Sequence, residues 1–83
     1  EDLAEAYTRL GEPRAALREL KTALPAARLR SRNWMLQMRA HQELGEIGKA
    51  VDVYHAAVTT FHTALGVEPD EQLRRLRNEI TSR

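Results

Sequence analysis

"ELGEIGKA" fills Glu43–Ala50, and the chain carries "RLGEPRAA" at Arg9–Ala16, one fixed offset of 34 positions earlier. Both copies contain Leu-Gly-Glu and a trailing Ala. Sliding Leu3–Leu24 onto Gln37–Val58 aligns Ala6 with Ala40, Leu10 with Leu44, Gly11 with Gly45, Glu12 with Glu46, Ala16 with Ala50 and Ala23 with Ala57. An echo at one period, falling on glycine and alanine, is the mark of a structural repeat rather than of a chemical motif.

The residues on either side of each copy have helical spacing. Leu3, Ala6, Tyr7 and Leu10 step i, i+3, i+4, i+7 along one face. Gly11 is expected to end that helix, because glycine adopts the left-handed conformation at little cost. Pro13 suits the first position of the next helix, where its missing N–H is not needed. Ala16, Leu17, Leu20, Ala23 and Leu24 give that helix its apolar stripe, and Pro25 is expected to stop it. The second unit repeats the plan. A helix is expected from about Ala27 to Leu44, with Trp34, Met38 and His41 on one face. After Gly45 comes a long stripe of Ile47, Ala50, Val51, Tyr54, Ala57, Val58, Phe61 and Leu65, closed by Gly66. A last helix spans about Asp70 to Thr81, with Leu73, Leu76 and Ile80 apolar and with Asp70–Arg74 and Glu71–Arg75 as i,i+4 pairs. Nothing alternates as a strand would. The expected fold is all-α, one repeat domain with unit one at 1–25, unit two at 26–66 and a capping helix at 69–82.

A helix–turn–helix unit of 34 residues has the period of the tetratricopeptide repeat. The chain resembles that pattern at Trp34, His41, Gly45, Ala50, Tyr54 and Ala57, and at Tyr7, Gly11, Ala16, Leu20 and Ala23. The small alanines would let paired helices approach, and the bulky residues would fill the space between units. His41 stands where an aromatic residue is usual, and Gln37 where leucine is usual. Such repeats need about three stacked units to bury their faces, so a further unit is expected N-terminal to Leu3 in a longer parent chain.

Composition narrows the function. With 13 Lys and Arg against 12 Asp and Glu, the formal charge of +1 argues against a dedicated polybasic surface for nucleic acid or membrane. There is no cysteine, which removes disulfides and thiolate metal sites and fits a cytoplasmic protein. No apolar run approaches the roughly 20 residues that span a bilayer. The sequence opens on Glu1 with no signal peptide. Ser31 and Ser82, the only serines, have no histidine near them in sequence, and no catalytic residue is assigned. His55 and His62 stand two helical turns apart, too far for one metal ion, so neither a metal nor a cofactor is expected.

The C-terminal half has a more specific likeness. Gly45, Ala50-Val51, Tyr54, Leu65-Gly66-Val67-Glu68-Pro69, Leu73-Arg74-Arg75-Leu76 and Ile80 resemble the end of the bacterial transcriptional activator domain found in SARP-type regulators. Glu1–Leu24 resembles the preceding repeat of that domain. The resemblance implies a regulatory module rather than an enzyme. It implies protein partners, through self-dimerisation or contact with RNA polymerase or other domains of the parent chain. DNA would be read by a separate winged helix-turn-helix outside these residues.

Two sets of residues are candidates for contact. The first helix of each repeat lines a concave surface, which in unit two places Arg32, Met35, Leu36, Arg39 and Gln42 there. That mixture of basic and apolar groups suits an acidic amphipathic segment, or packs on another domain. Arg28, Arg30 and Arg32, with Arg74 and Arg77, are candidates for DNA phosphate or an acidic partner; the plainer reading is a solvated face balanced by nearby acids. A general tetratricopeptide adaptor that holds a peptide in its groove is the alternative function, and an enzyme's regulatory tail is a third class.

Overall fold

Gly11 and Gly45 reverse the chain with φ of 73° and 75°, so both copies of the repeated turn have the same left-handed hinge. In the computed structural model, residues 3–21 and 29–82 are described, and they form five helices and no strand. These are α1 (Leu3–Arg9), α2 (Pro13–Lys21), α3 (Ser31–Glu43), α4 (Ile47–Leu65) and α5 (Glu71–Thr81). In both turns the glutamate after glycine donates its backbone N–H to the carbonyl five residues earlier. Glu12 bonds Tyr7 at 2.9 Å and Glu46 bonds His41 at 2.8 Å. The 34-residue echo is therefore one turn geometry built twice.

Helix α3 is the centre of the array, and α1, α2, α4 and α5 all pack on it. Ala50 and Ala57 on α4 have no exposed surface. With only a methyl group at each, α4 lies close against its neighbours, and larger residues fill the remaining space. Trp34 and Met38 of α3, Phe61 of α4, and Leu73, Leu76 and Ile80 of α5 join those alanines in one buried cluster. The same logic holds on α2, where Ala15, Ala16, Leu17 and Leu20 are buried. The arrangement is all-α and tetratricopeptide-like: two helical hairpins in succession, then a single helix laid over the end.

Several details differ from the sequence expectation. Helix α3 begins at Ser31, not near Ala27. Arg30 is extended (φ −103°, ψ 115°), and its carbonyl accepts the Asn33 N–H at 3.1 Å. At the first helical residue the Ser31 hydroxyl makes a tertiary contact, donating to Asp70 Oδ2 at 2.8 Å. Asp70 is thereby engaged away from Arg74, which pairs with Glu71 at 3.3 Å instead. On α1 the enclosed residue is Ala4, while Leu3 and Leu10 at the ends of the expected stripe are 52% and 73% exposed. Among the described residues α1 packs only on α2 and α3, so nothing covers its outer side. Ala23, Leu24, Pro25, Ala27 and Arg28 lie outside the described residues.

Two stability changes follow from this packing. A Cβ at Gly45 meets nothing within 4 Å, so Gly45→Ala carries only the backbone cost of a left-handed residue, about 1–2 kcal/mol. Denaturant unfolding measures it, and an unchanged midpoint would contradict the hinge role. Leu73 has no exposed surface, so Leu73→Ala is expected to cost about 2–5 kcal/mol through lost burial and a residual cavity. Its thermal melt should show the larger fall of the two.

Candidate functional site

Helices α3 and α5 run beside one another and leave a groove of about 330 Å³ between them. Met35 and Arg39 form the α3 wall, one turn apart. Gln72, Arg75, Leu76 and Glu79 form the α5 wall. Those four residues step i, i+3, i+4, i+7, a stripe that a helical reading of α5 places on one face. Met35 and Leu76 supply an apolar floor, with Leu76 only 2% exposed because its far side is in the core. Arg39 and Arg75 stand at the two edges. Each faces an acid across a long gap, Arg39 to Glu79 at 3.9 Å and Arg75 to Glu71 at 3.7 Å. Exposed pairs of this kind contribute about 0–1 kcal/mol, so both guanidiniums exchange partners at little cost.

The concave set expected from sequence is thus only partly gathered. Met35 and Arg39 meet in the groove. Arg32, on the same face of α3 about two turns before Arg39, does not line the groove and pairs with Glu5 of α1. Leu36 and Gln42 are half-buried and do not line the groove. The α5 wall is what sequence reasoning missed: Leu76 was read as part of the cap and Arg75 as an ion-pair partner of Glu71, and Gln72 and Glu79 were assigned nothing.

The basic candidates disperse. Arg30 is exposed at the start of α3. Arg74 turns to Glu71 and, with Tyr54, Glu68 and Pro69, lines a cleft of about 330 Å³. Arg77 is half-buried, its guanidinium 5.0 Å from the centre of the Tyr54 ring. A cation over an aromatic face is worth about 0.5–2 kcal/mol, so Arg77 has a structural role in holding α5 to α4. Arg28 lies outside the described residues.

The three histidines also separate. His55 meets Tyr54 edge-on at 5.7 Å, and His62 bonds Glu68 at 3.0 Å. Among the described residues no three potential metal ligands cluster, and no helix is long and apolar enough to cross a membrane. His41 occupies the usual aromatic position and is 9% exposed. Its Nδ1–H donates to Glu46 Oε1 at 2.9 Å, across the same turn that the Glu46 backbone N–H closes. This hydrogen bond holds the Glu46 carboxyl below its ordinary value of 4.5; partial burial opposes the effect and the Lys49 charge adds to it.

The fold is that of an all-α helical repeat module. The family model for the bacterial transcriptional activator domain matches residues 1–81. The chain belongs to that family, a regulatory one found in transcriptional activators. No curated protein and no solved structure matches it.

The turn yields a pH prediction. A carboxyl whose folded pKa is lowered adds stability above its unfolded pKa and loses it as pH falls through the folded value. Glu46→Gln should therefore lower the melting temperature at neutral pH. The gap to the unsubstituted protein should narrow as pH drops through and below 4.5. A gap independent of pH would show that the carboxylate charge is immaterial.

Proposed function

We propose that the chain is the protein-contact module of a bacterial transcriptional activator, with the DNA-reading element in a separate part of the parent protein. The α3–α5 groove carries this reading. It joins an apolar floor at Met35 and Leu76 to two arginines held only by long, exposed ion pairs. The occupant that suits it is an acidic amphipathic segment of the transcription machinery, or of a second activator subunit. Its carboxylates would replace Glu79 and Glu71 as partners of Arg39 and Arg75.

Membership of an activator family supports the transcriptional setting. The near balance of charge supports contact with protein over DNA: 13 basic and 12 acidic residues leave no strong phosphate-binding field. In the same reading Arg32, Arg74 and Arg77 are engaged with Glu5, Glu71 and Tyr54.

The test is a charge reversal, Arg39→Glu with Arg75→Glu, in the whole activator. Reporter transcription should fall several-fold while promoter affinity in a gel shift stays the same. Sedimentation of the variant separates the two partners, since a lost dimer points to the second subunit and an intact one to the machinery. Full activation by the variant would overturn the groove as a contact site. A matching loss of promoter affinity would place the function on DNA instead.

A further inference from the structure

Sulfur is scarce in this chain, which has two methionines and no cysteine. Both methionines stand on α3, three positions apart, in opposite surroundings. Met38 has no exposed surface and belongs to the buried cluster. Met35 is half-buried. It packs against that cluster on one side and lines the α3–α5 groove on the other. The groove volume of about 330 Å³ is far above the roughly 15 Å³ that admits one water, so a small polar oxidant reaches the Met35 side chain.

A thioether is apolar and polarizable, which suits the floor of a groove for apolar side chains. Its sulfur is also oxidisable. A sulfur lone pair attacks one oxygen of hydrogen peroxide, forming an S–O bond as the O–O bond breaks; with proton transfer, the second oxygen leaves as water. Sulfur loses two electrons and the peroxide gains them. The product sulfoxide is polar, and its oxygen accepts hydrogen bonds. A donor stands one turn further on, since Met35 and Arg39 are i,i+4 on α3 and line the same groove. Arg39 reaches its acid, Glu79, only at 3.9 Å, with both side chains exposed, so its guanidinium turns to the sulfoxide at little cost. One added oxygen atom thus takes from the groove part of its apolar floor and one of its two cations.

We propose that Met35 is a redox-modification site. A hydroperoxide converts its thioether to the sulfoxide and disables the groove for an acidic amphipathic partner, and methionine sulfoxide reductase reverses the change. Met38 is protected by the packing around it. The switch rests on the reading of the α3–α5 groove as the contact site of the activator.

The test treats the whole activator with hydrogen peroxide and then removes the excess with catalase. Trypsin leaves both methionines in the fragment 33–39, and fragment-ion sequencing separates them. Met35 should be oxidised about tenfold faster than Met38 or more, because exposure governs the reaction. Transcription with purified polymerase should fall several-fold on oxidation and recover with methionine sulfoxide reductase, while promoter affinity stays the same. Met35→Leu removes the sulfur and keeps the floor apolar; whatever its own starting activity, that activity should not change on oxidation. Equal oxidation of the two methionines, or none at Met35, would overturn the site. An equal fall in oxidised Met35→Leu would place the damage elsewhere and overturn the switch. So would a loss of the helical circular-dichroism signal, which would assign the effect to unfolding. The Arg39→Glu/Arg75→Glu protein separates the two readings. If it activates fully, the groove has failed and the switch with it; if it is impaired and the Met35-oxidised protein is not, the switch alone has failed.

Discussion

The separation between α3 and α4 is set by two methyl groups. Ala50 and Ala57 are wholly enclosed, and everything that follows in the chain is arranged around the closeness they allow. A larger side chain at either position would push α4 outward and uncouple Phe61 from Trp34 and Met38. It would also shift the surface on which Leu73, Leu76 and Ile80 rest. Interiors this dense do not absorb an added methylene without displacement elsewhere. The groove is thus a consequence of the packing: its α5 wall stands where the buried face of the same helix puts it.

Much of this was legible before any coordinates. The glycines, the alanines and the 34-residue echo identify the turns and the close helix pairs, because each reflects a local requirement of the backbone or of volume. Trp34, Met38, Leu73, Leu76 and Ile80 were read as apolar helix faces and are buried. What was not legible depends on partners distant in sequence. Ser31 and Asp70 are 39 residues apart, and their bond coincides with the start of α3 and diverts Asp70 from Arg74. Arg74, Arg75 and Arg77 look alike as a string of letters. The structure sends one to Glu71, one into the groove and one onto Tyr54, since successive helical positions face different neighbours.

Most arginines described above have a local acid or an aromatic ring, as an evenly balanced composition permits. Arg39 and Arg75, whose acids are remote, stand beside the apolar floor of the α3–α5 groove. Membership of the bacterial transcriptional activator domain family gives the module a transcriptional setting. A cation next to a hydrophobic surface is the chemistry that the proposed acidic, amphipathic occupant would meet.

Leu76 belongs at once to the core and to the groove. One flank touches the buried cluster and the other closes the floor beneath Met35. Any occupant of the groove therefore leans on a residue that also holds the last helix in place. Binding and folding become linked quantities, and an occupant at a hundred times its dissociation constant would add about 2.7 kcal/mol to the stability of the domain. A module this small has a modest reserve of stability. Recruitment of a partner would then also govern how long the activator survives proteolysis in the cell, coupling its lifetime to its engagement.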